Sequence, residues 1–359
     1  MTDLDFSINL QEQINHALAE DISLNIQGNN TKAFIGRRSA IEAAQQVLST
    51  NKHRGIINYE PSELVLTARS GTPLKEIEKV LADNGQMLGF EPPYYGDQAT
   101  LGGTVACNLS GPRRAYSGAV RDFVLGIRLI NGKGEHLRFG GEVMKNVAGY
   151  DVSRLQCGAM GTLGVLTEIS LKVLPLPEYE TTLSLSCPAL EGLNKLHAYA
   201  RQPLPISASC HDGEQLYIRL SGTKKSVITA FNKIGGDRLE NASYFWHQLK
   251  EQRLAFFAAE LPIWRLSLAS TAPPLHIPGK CLYEWGGALR WIISPHDSDE
   301  IRDIAASHNG HATLLRNKGD QYDNVFHPLS SGMRNLHFRI KDAMDPQGIF
   351  NSGRMYAGM

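Results

Sequence analysis

The chain of 359 residues has five cysteines, Cys107, Cys157, Cys187, Cys210 and Cys281, and no two of them form a Cys-x-x-Cys pair. Iron–sulfur clusters and structural zinc sites gather several thiolates at one point, usually through such close pairs, so the spacing argues against both. The thiols read instead as reduced, buried side chains of an intracellular protein. An excess of charge is missing too: Lys plus Arg is 36 and Asp plus Glu is 36. No net field therefore draws nucleic acid or an anionic membrane. No window reaches the ~18 uninterrupted apolar residues that a spanning helix needs. The start, Met1-Thr2-Asp3-Leu4-Asp5, is acidic and lacks the apolar segment of a secretory signal. Repeats at 20–50 residues and low-complexity stretches are absent as well. What remains is a cytoplasmic globular chain of roughly two domains by length. If it handles electrons, it has no cluster of its own to pass them through.

Glycine is abundant, at 34 residues, and it gathers at three places. The densest is Gly158-Ala159-Met160-Gly161-Thr162-Leu163-Gly164, directly ahead of an apolar run. Only glycine lets main-chain N–H groups approach something large and flat that closely. Val165, Thr167, Ile169, Leu171 and Val173 then share one parity, as in a half-buried strand. A second cluster, Thr100-Leu101-Gly102-Gly103-Thr104, reads as a glycine-rich turn carrying hydroxyls. The third, Ile26-Gln27-Gly28-Asn29-Asn30-Thr31-Lys32, is a short strand feeding a turn. Consecutive N–H groups there make an anion nest suited to a pyrophosphate, and an ordinary Gly-Asn surface turn is the plainer alternative. Asn accepts positive φ better than other non-glycine residues, so Asn29 and Asn30 keep the turn feasible. No Gly-x-Gly-x-x-Gly joins a strand to a helix, and Gly132-Lys133-Gly134 sits in a hairpin turn. A Rossmann nucleotide site is therefore not supported.

The spacing of Ile8, Gln11, Ile14 and Leu18 predicts an amphipathic helix over 8–20. A strand follows at 24–27, and Ser39 opens a helix through Leu48. Strands are expected at 55–59 and 63–69, then a helix capped by Thr72, with Pro73 first and Gly85 past its end. Residues 123–130 and 135–139 form a hairpin about 131–134. Pro175 and Pro177 stiffen a linker at 174–179. Beyond it, strands at 182–186, 215–220, 263–268 and 288–293 alternate with helices at 190–201, 225–234, 246–252 and 299–308. That pattern suits an antiparallel sheet with helices on one face. The fold class is α+β. The expected division is 1–175 (subdomains 1–67 and 68–175), 176–318, and a last segment, 319–359, with a helix at 333–344.

The three glycine segments, in this order over residues 22–175, resemble the FAD-binding domain of the PCMH or vanillyl-alcohol oxidase type. The tail Asp345-Pro346-Gln347-Gly348-Ile349-Phe350-Asn351-Ser352-Gly353-Arg354 is similar to that superfamily's C-terminal signature. Four further stretches stand out: Glu91-Pro92-Pro93, Gly111-Pro112-Arg113-Arg114, the run from Arg138 through Lys145-Asn146-Val147-Ala148-Gly149-Tyr150, and Trp285-Gly286-Gly287-Ala288-Leu289-Arg290-Trp291. Together they resemble the family of FAD-binding subunits of bacterial glycolate oxidases (glycolate dehydrogenases), over essentially the whole chain. The resemblance implies two α+β subdomains with FAD between them, a smaller α+β cap domain with an antiparallel sheet, and a final segment returning to the FAD domain. It implies cofactor contacts from Gln27, Gly28, Asn29, Asn30, Thr31 and Lys32 in the first loop. Glu91, Pro92, Thr100, Gly102, Gly103 and Thr104 would approach the isoalloxazine and ribityl region. Gly161, Thr162, Gly164 and Val165 would supply contacts to the flavin or adenine. Some relatives attach FAD through a histidine in the first loop; none lies between His16 and His53 here, so non-covalent FAD is expected. The implied partners are a second flavin subunit and an iron–sulfur subunit of a glycolate oxidase complex. Any contact with the inner membrane would then be made through them.

Oxidising glycolate, or a 2-hydroxy acid such as D-lactate, requires a cation for the carboxylate and a base for the hydroxyl proton. Arg290 is the candidate clamp, since a guanidinium binds a carboxylate bidentately, and His311 is the candidate base by analogy with catalytic relatives. The stretch 285–291 reads equally as a packed strand with flanking aromatics. His308 and His311 lie three apart, but Asn309-Gly310 breaks a helix between them, so no metal site is expected. Arg113 and Arg114 read as a solvated pair, a phosphate contact or a partner salt bridge rather than a nucleic-acid patch. Tyr150 and Asp151 stay open between ligand contact and core hydrogen bonding. The alternative function is a non-catalytic assembly subunit that keeps the flavin fold.

Overall fold

The computed structural model describes residues 3–141, 150–317 and 324–359. The part of the glycolate-oxidase-like stretch from 142 to 149, and the expected boundary at 318, lie outside them. The chain packs as two compact units, Met1–Leu109 with Ala119–Pro175 and Gln321–Met359, and Ser110–Gly118 with Leu176–Asp320.

The first unit is built on a five-stranded antiparallel sheet in the order Ile56–Glu60, Val65–Arg69, Val165–Lys172, Val124–Ile130, His136–Gly140. The expected boundary at residue 67 falls inside the Val65–Arg69 strand, so both sides of it belong to this sheet. Val165–Lys172 is not half-buried: Leu166 and Ser170 are covered as well as Val165, Ile169 and Leu171. As the central strand it has a neighbour on each edge and packing on both faces. Ile77 and Leu81 of the Leu74–Asp83 helix and Leu101 and Val105 of the Leu101–Cys107 helix share its core with Ile127, Ile169 and Leu171.

Beside this sheet lies a short parallel pair, Leu24–Gln27 with Gln46–Ser49. The helix expected through Leu48 stops at Ala43, because Gln46–Ser49 is claimed by pairing with Leu24–Gln27. Thr72 does not cap the next helix. Its hydroxyl donates to the Arg69 carbonyl (2.7 Å) and accepts from Gly55 N–H (2.9 Å), while Pro73 takes the cap position. The tail returns to the Leu24 strand. Leu24 N–H donates to Ile349 O (2.7 Å) and Asn351 N–H to Leu24 O (3.0 Å).

The second unit carries an eight-stranded sheet, antiparallel throughout, in the order Asp237–Arg238, Tyr179–Ser186, Gln215–Gly222, Ile206–His211, Lys280–Glu284, Leu289–Ile293, Ile263–Ser267, His311–Arg316. Helices cover both faces, not one. Leu216, Ile218 and Leu220 face a cluster with Leu196 of the Ala189–Ala200 helix and Val227 of the Lys224–Ile234 helix. Tyr217, of opposite parity, faces Trp246 and Leu249 of the Ala242–Lys250 helix.

The segment Ser110–Gly118, expected within 1–175, packs in this second unit. Trp285 Nε1 donates to Gly111 O (3.0 Å), Tyr116 Oη to Ser209 Oγ (3.1 Å), and Arg113 pairs with Glu180 at 2.8 Å. Arg114 stacks its guanidinium 4.3 Å over the Trp285 ring. Among the described residues no helix is long and apolar enough to cross a membrane.

Candidate functional site

One groove in the first unit is lined by all three glycine segments. Its walls are the turn after Leu24–Gln27, the Leu101–Cys107 helix, the loop ahead of Val165–Lys172, and Asn351 and Arg354 from the tail. Its empty space, counted out to open solvent, is about 870 Å³.

The turn behaves as its composition requires. Asn30 sits at φ +59°, the left-handed conformation that asparagine tolerates. Gly28 is needed for a different reason: a Cβ there would lie 2.3 Å from Thr100 Oγ1. Thr100 in turn caps the Leu101–Cys107 helix, accepting from Gly103 N–H at 3.3 Å. The expected glycine-rich turn is thus largely helix. Its glycine serves close packing, since a Cβ on Gly102 would come 2.7 Å from Ser70 Cβ. Gly161, at φ +73°, leaves room for Asn351, whose amide donates to Met160 O (2.6 Å) and accepts from Ile26 N–H (2.7 Å). Asn351 therefore ties the first loop's strand to the Gly161 loop.

Beneath these contacts Lys341 and Asp345 form a buried pair at 2.7 Å. Lys341 Nζ also donates to Thr162 O (2.8 Å) and Phe350 O (2.9 Å), and Asp345 accepts from Ile349 and Phe350 N–H. Burial pushes the Lys341 ammonium below its ordinary range, and Asp345 opposes that.

The groove's charge is one-sided. Among the described residues Lys32 and Arg354 line it, and no Asp or Glu does. Lys32 Nζ reaches Tyr94 O at 3.4 Å, and Arg354 Nη2 donates to Ala33 O at 2.8 Å. Burial lowers Arg354 to about 10, which leaves it cationic at neutral pH. Burial also raises the Cys107 thiol in the same groove, against the pull of Lys32 and Arg354, so it stays protonated. Two neutral polar atoms complete the lining: Ser70 Oγ and Gln156 Nε2 are buried with no hydrogen-bond partner.

Gln27, Gly28, Asn29, Asn30, Thr31, Lys32, Thr100, Gly102, Gly103, Gly161 and Gly164 all line this groove, and Glu91, Pro92, Thr104, Thr162 and Val165 do not. Val165 is core beside Ile130, and Thr162 turns its hydroxyl to Ala159 O at 2.7 Å. Thr104 is wholly buried inside its helix. Glu91 takes a positive φ of 44° in a turn closed on Leu88 O, and Pro92 is buried. The sequence reading missed Ser70, Gln156 and Arg354 as groove residues. Arg354 was visible in the tail signature, whereas Ser70 and Gln156 belong to no glycine pattern.

The two catalytic candidates are not brought together. Arg290 is 0% exposed, and its guanidinium donates to Gly287 O (3.1 Å), Pro273 O (2.5 Å) and Ala272 O. In this structure the guanidinium is thus a core tie, with no exposed edge to present to a substrate carboxylate. His311 is exposed at the start of an edge strand. Arg290 pairs with Leu266 and His311 with Ser267 on opposite sides of one strand, which separates them by about 10 Å.

Tyr150 is 97% exposed, and Asp151 caps the Val152–Leu155 helix by accepting from Arg154 N–H. His308 Nδ1 contacts Ile304 O at 2.9 Å, and among the described residues no group of three His, Cys, Asp or Glu could hold a metal.

The FAD binding domain family matches residues 9–140, the region that supplies the first two walls of the groove. Glycolate oxidase subunit GlcE of Escherichia coli (strain K12) is 50% identical over 357 residues, 99% of each chain. This chain belongs to the GlcE family of glycolate oxidase subunits. FAD is therefore the cofactor of this GlcE-family domain. Glycolate oxidase subunit GlcD of Bacillus subtilis is 34% identical over 130 residues, 36% of this chain and 27% of its own. D-lactate dehydrogenase of Archaeoglobus fulgidus is 28% identical over 193 residues, 54% of this chain and 40% of its own. The chain thus matches well under half of the length of these two longer relatives. An alkyldihydroxyacetonephosphate synthase structure superposes with a TM-score of 0.67 at 16% identity, covering 97% of this chain and 74% of that one. This last likeness speaks for the PCMH-type fold alone.

The groove fits FAD on its own terms. Two cations with no carboxylate among the described lining residues suit a pyrophosphate, close-packed glycines admit a broad flat group, and buried polar atoms offer donors and acceptors.

Proposed function

We propose that this chain is the FAD-carrying subunit of a multisubunit enzyme that oxidises glycolate, and 2-hydroxy acids such as D-lactate, to the 2-oxo acid. The groove bearing Lys32 and Arg354 and, among the described residues, no carboxylate, in a chain half-identical to GlcE over 99% of its length, carries this reading. FAD, when bound, supplies a reversible two-electron acceptor. Lys32 and Arg354 would neutralise its pyrophosphate, the Gly28 to Thr31 turn would present N–H groups to it, and Thr100, Gly102 and Gly103 would border the rest. No histidine lies in the first loop or along the groove, which supports non-covalent attachment. The chain's cysteines are single, so electrons would leave through a second flavin subunit and an iron–sulfur subunit.

Arg290 held by three carbonyls favours a division of labour in which substrate is oxidised on the second flavin subunit. In that version this chain relays electrons or scaffolds the assembly. The test is the visible spectrum of the purified chain before and after anaerobic glycolate. A yellow protein that stays oxidised, and co-purifies with the two partner subunits, is the expected result. Bleaching by glycolate would return the substrate chemistry to this chain, and a colourless chain indifferent to added FAD would sink the cofactor role.

A further inference from the structure

Four buried polar atoms without hydrogen-bond partners surround the short Leu101–Cys107 helix: Ser70 Oγ, Thr104 Oγ1, Asn108 Oδ1 and Gln156 Nε2. Ser70 packs on the start of that helix, where Gly102 N–H donates to Ser70 O at 2.7 Å. Gln156 precedes the turn that packs on its far end, with Gly158 N–H on Val105 O (3.1 Å) and Met160 N–H on Ala106 O (2.9 Å). The helix rises about 1.5 Å per residue, so the two side chains are spread over much of its length. Ser70 is 1% exposed and Gln156 2%. Both line the groove, whereas Thr104 does not.

A buried hydroxyl or amide without a partner is costly, and native chains rarely keep one for nothing. Ser70 and Gln156 bring neutral hydrogen-bonding capacity to a groove whose lining charges, among the described residues, are Lys32 and Arg354. Charges suit phosphate; a neutral hydroxyl and a carboxamide suit a heteroaromatic ring edge or a polyol chain, which alternate donors and acceptors. We propose that Ser70 and Gln156 are cofactor-binding residues, hydrogen-bonded to the non-phosphate part of FAD and left unsatisfied without it. The proposal rests on the FAD reading above and adds two residues that no glycine motif contains. It has a signature that ordinary contact residues lack. Apolar replacements should relieve the cofactor-free chain while weakening the bound state.

The full-length chain is stripped of flavin, titrated with FAD by fluorescence quenching, and melted with and without FAD. Ser70→Ala and Gln156→Met should each weaken FAD binding about three- to tenfold, the loss expected for one hydrogen bond. Their cofactor-free melting temperatures should hold or rise. Asn108→Gly, which removes a buried unpartnered amide oxygen outside the groove at a left-handed φ of 50°, should leave FAD affinity within twofold. If the parent chain binds FAD and both groove variants stay within twofold, the assignment is wrong and the FAD reading stands. A variant whose cofactor-free melting temperature falls along with its affinity is a packing defect, which overturns the assignment for that residue. If the folded parent chain does not bind FAD, the underlying reading fails and takes this one with it.

Discussion

The two units differ in where buried polarity is left open. In the second, Arg290 spends its guanidinium on three carbonyls, and Arg219 meets Ser207 Oγ and Glu180 while stacking on Trp246. Its buried indoles Trp285 and Trp291 donate to Gly111 O and Glu284 Oε1. Trp264 Nε1 is an exception, lacking an acceptor beneath the Arg302 guanidinium. In the first unit the unsatisfied hydroxyls and amides crowd around one short helix beside a groove. Closed polarity organises a core, whereas open polarity beside a cavity marks where a ligand completes the hydrogen bonding.

Separate probes can attack this contrast. All four tryptophans, Trp246, Trp264, Trp285 and Trp291, lie in the second unit, so their fluorescence follows that unit while FAD quenching follows the first. The largest effect is expected from Lys341→Met, which leaves the Asp345 carboxylate buried without its cation. About 3–5 kcal/mol should be lost from the first unit, with FAD retention. The tryptophan-reported transition in urea should stay put; if it moves instead, the units are not separable in this way.

Arg290→Met comes next. Stranding the carbonyls of Gly287, Ala272 and Pro273 should cost the tryptophan-reported transition about 3 kcal/mol and change FAD affinity less than twofold. A folded Arg290 variant with normal stability and poor glycolate turnover would restore the clamp.

Smaller again is a pH effect at His53. Its Nδ1 accepts from Phe6 N–H and its Nε2 faces Thr167 O, and burial, with Arg69 nearby, lowers its pKa from 6.5 to about 4. The unfolded chain therefore binds a proton in that window that the folded one refuses. Stability should fall by about 1 kcal/mol per pH unit as pH drops from 6.5 towards 4. His136, also lowered by burial, adds to the slope, so His53→Gln should flatten it by about one proton rather than abolish it in urea titrations. The smallest effect belongs to His311→Gln. On an exposed edge position it should change stability by less than about 0.5 kcal/mol and leave flavin reduction unaltered.

Much of this was legible in the residues. The Leu24–Gln27 strand, the hairpin about 131–134 and the long C-terminal helix follow from local period and turn chemistry. The groove's glycine segments were readable for the same reason, because a glycine needed for close approach leaves its mark at its own position. Several of the failures were cases of distant pairing. Gln46–Ser49 became a strand through Leu24–Gln27, and Ile206–His211, Lys280–Glu284 and His311–Arg316 joined a sheet that their own patterns did not announce.

The sequence by itself determined the PCMH-type fold, the GlcE kinship and the glycine-built part of the groove. Only the tertiary structure decided what the polar side chains do. An arginine in the sequence is an equally good clamp or core tie, and Arg290 became the tie because three carbonyls happen to meet it. Ser70 and Gln156 carry no pattern at all, and whether their donors and acceptors end satisfied or open depends on neighbours brought in from far along the chain.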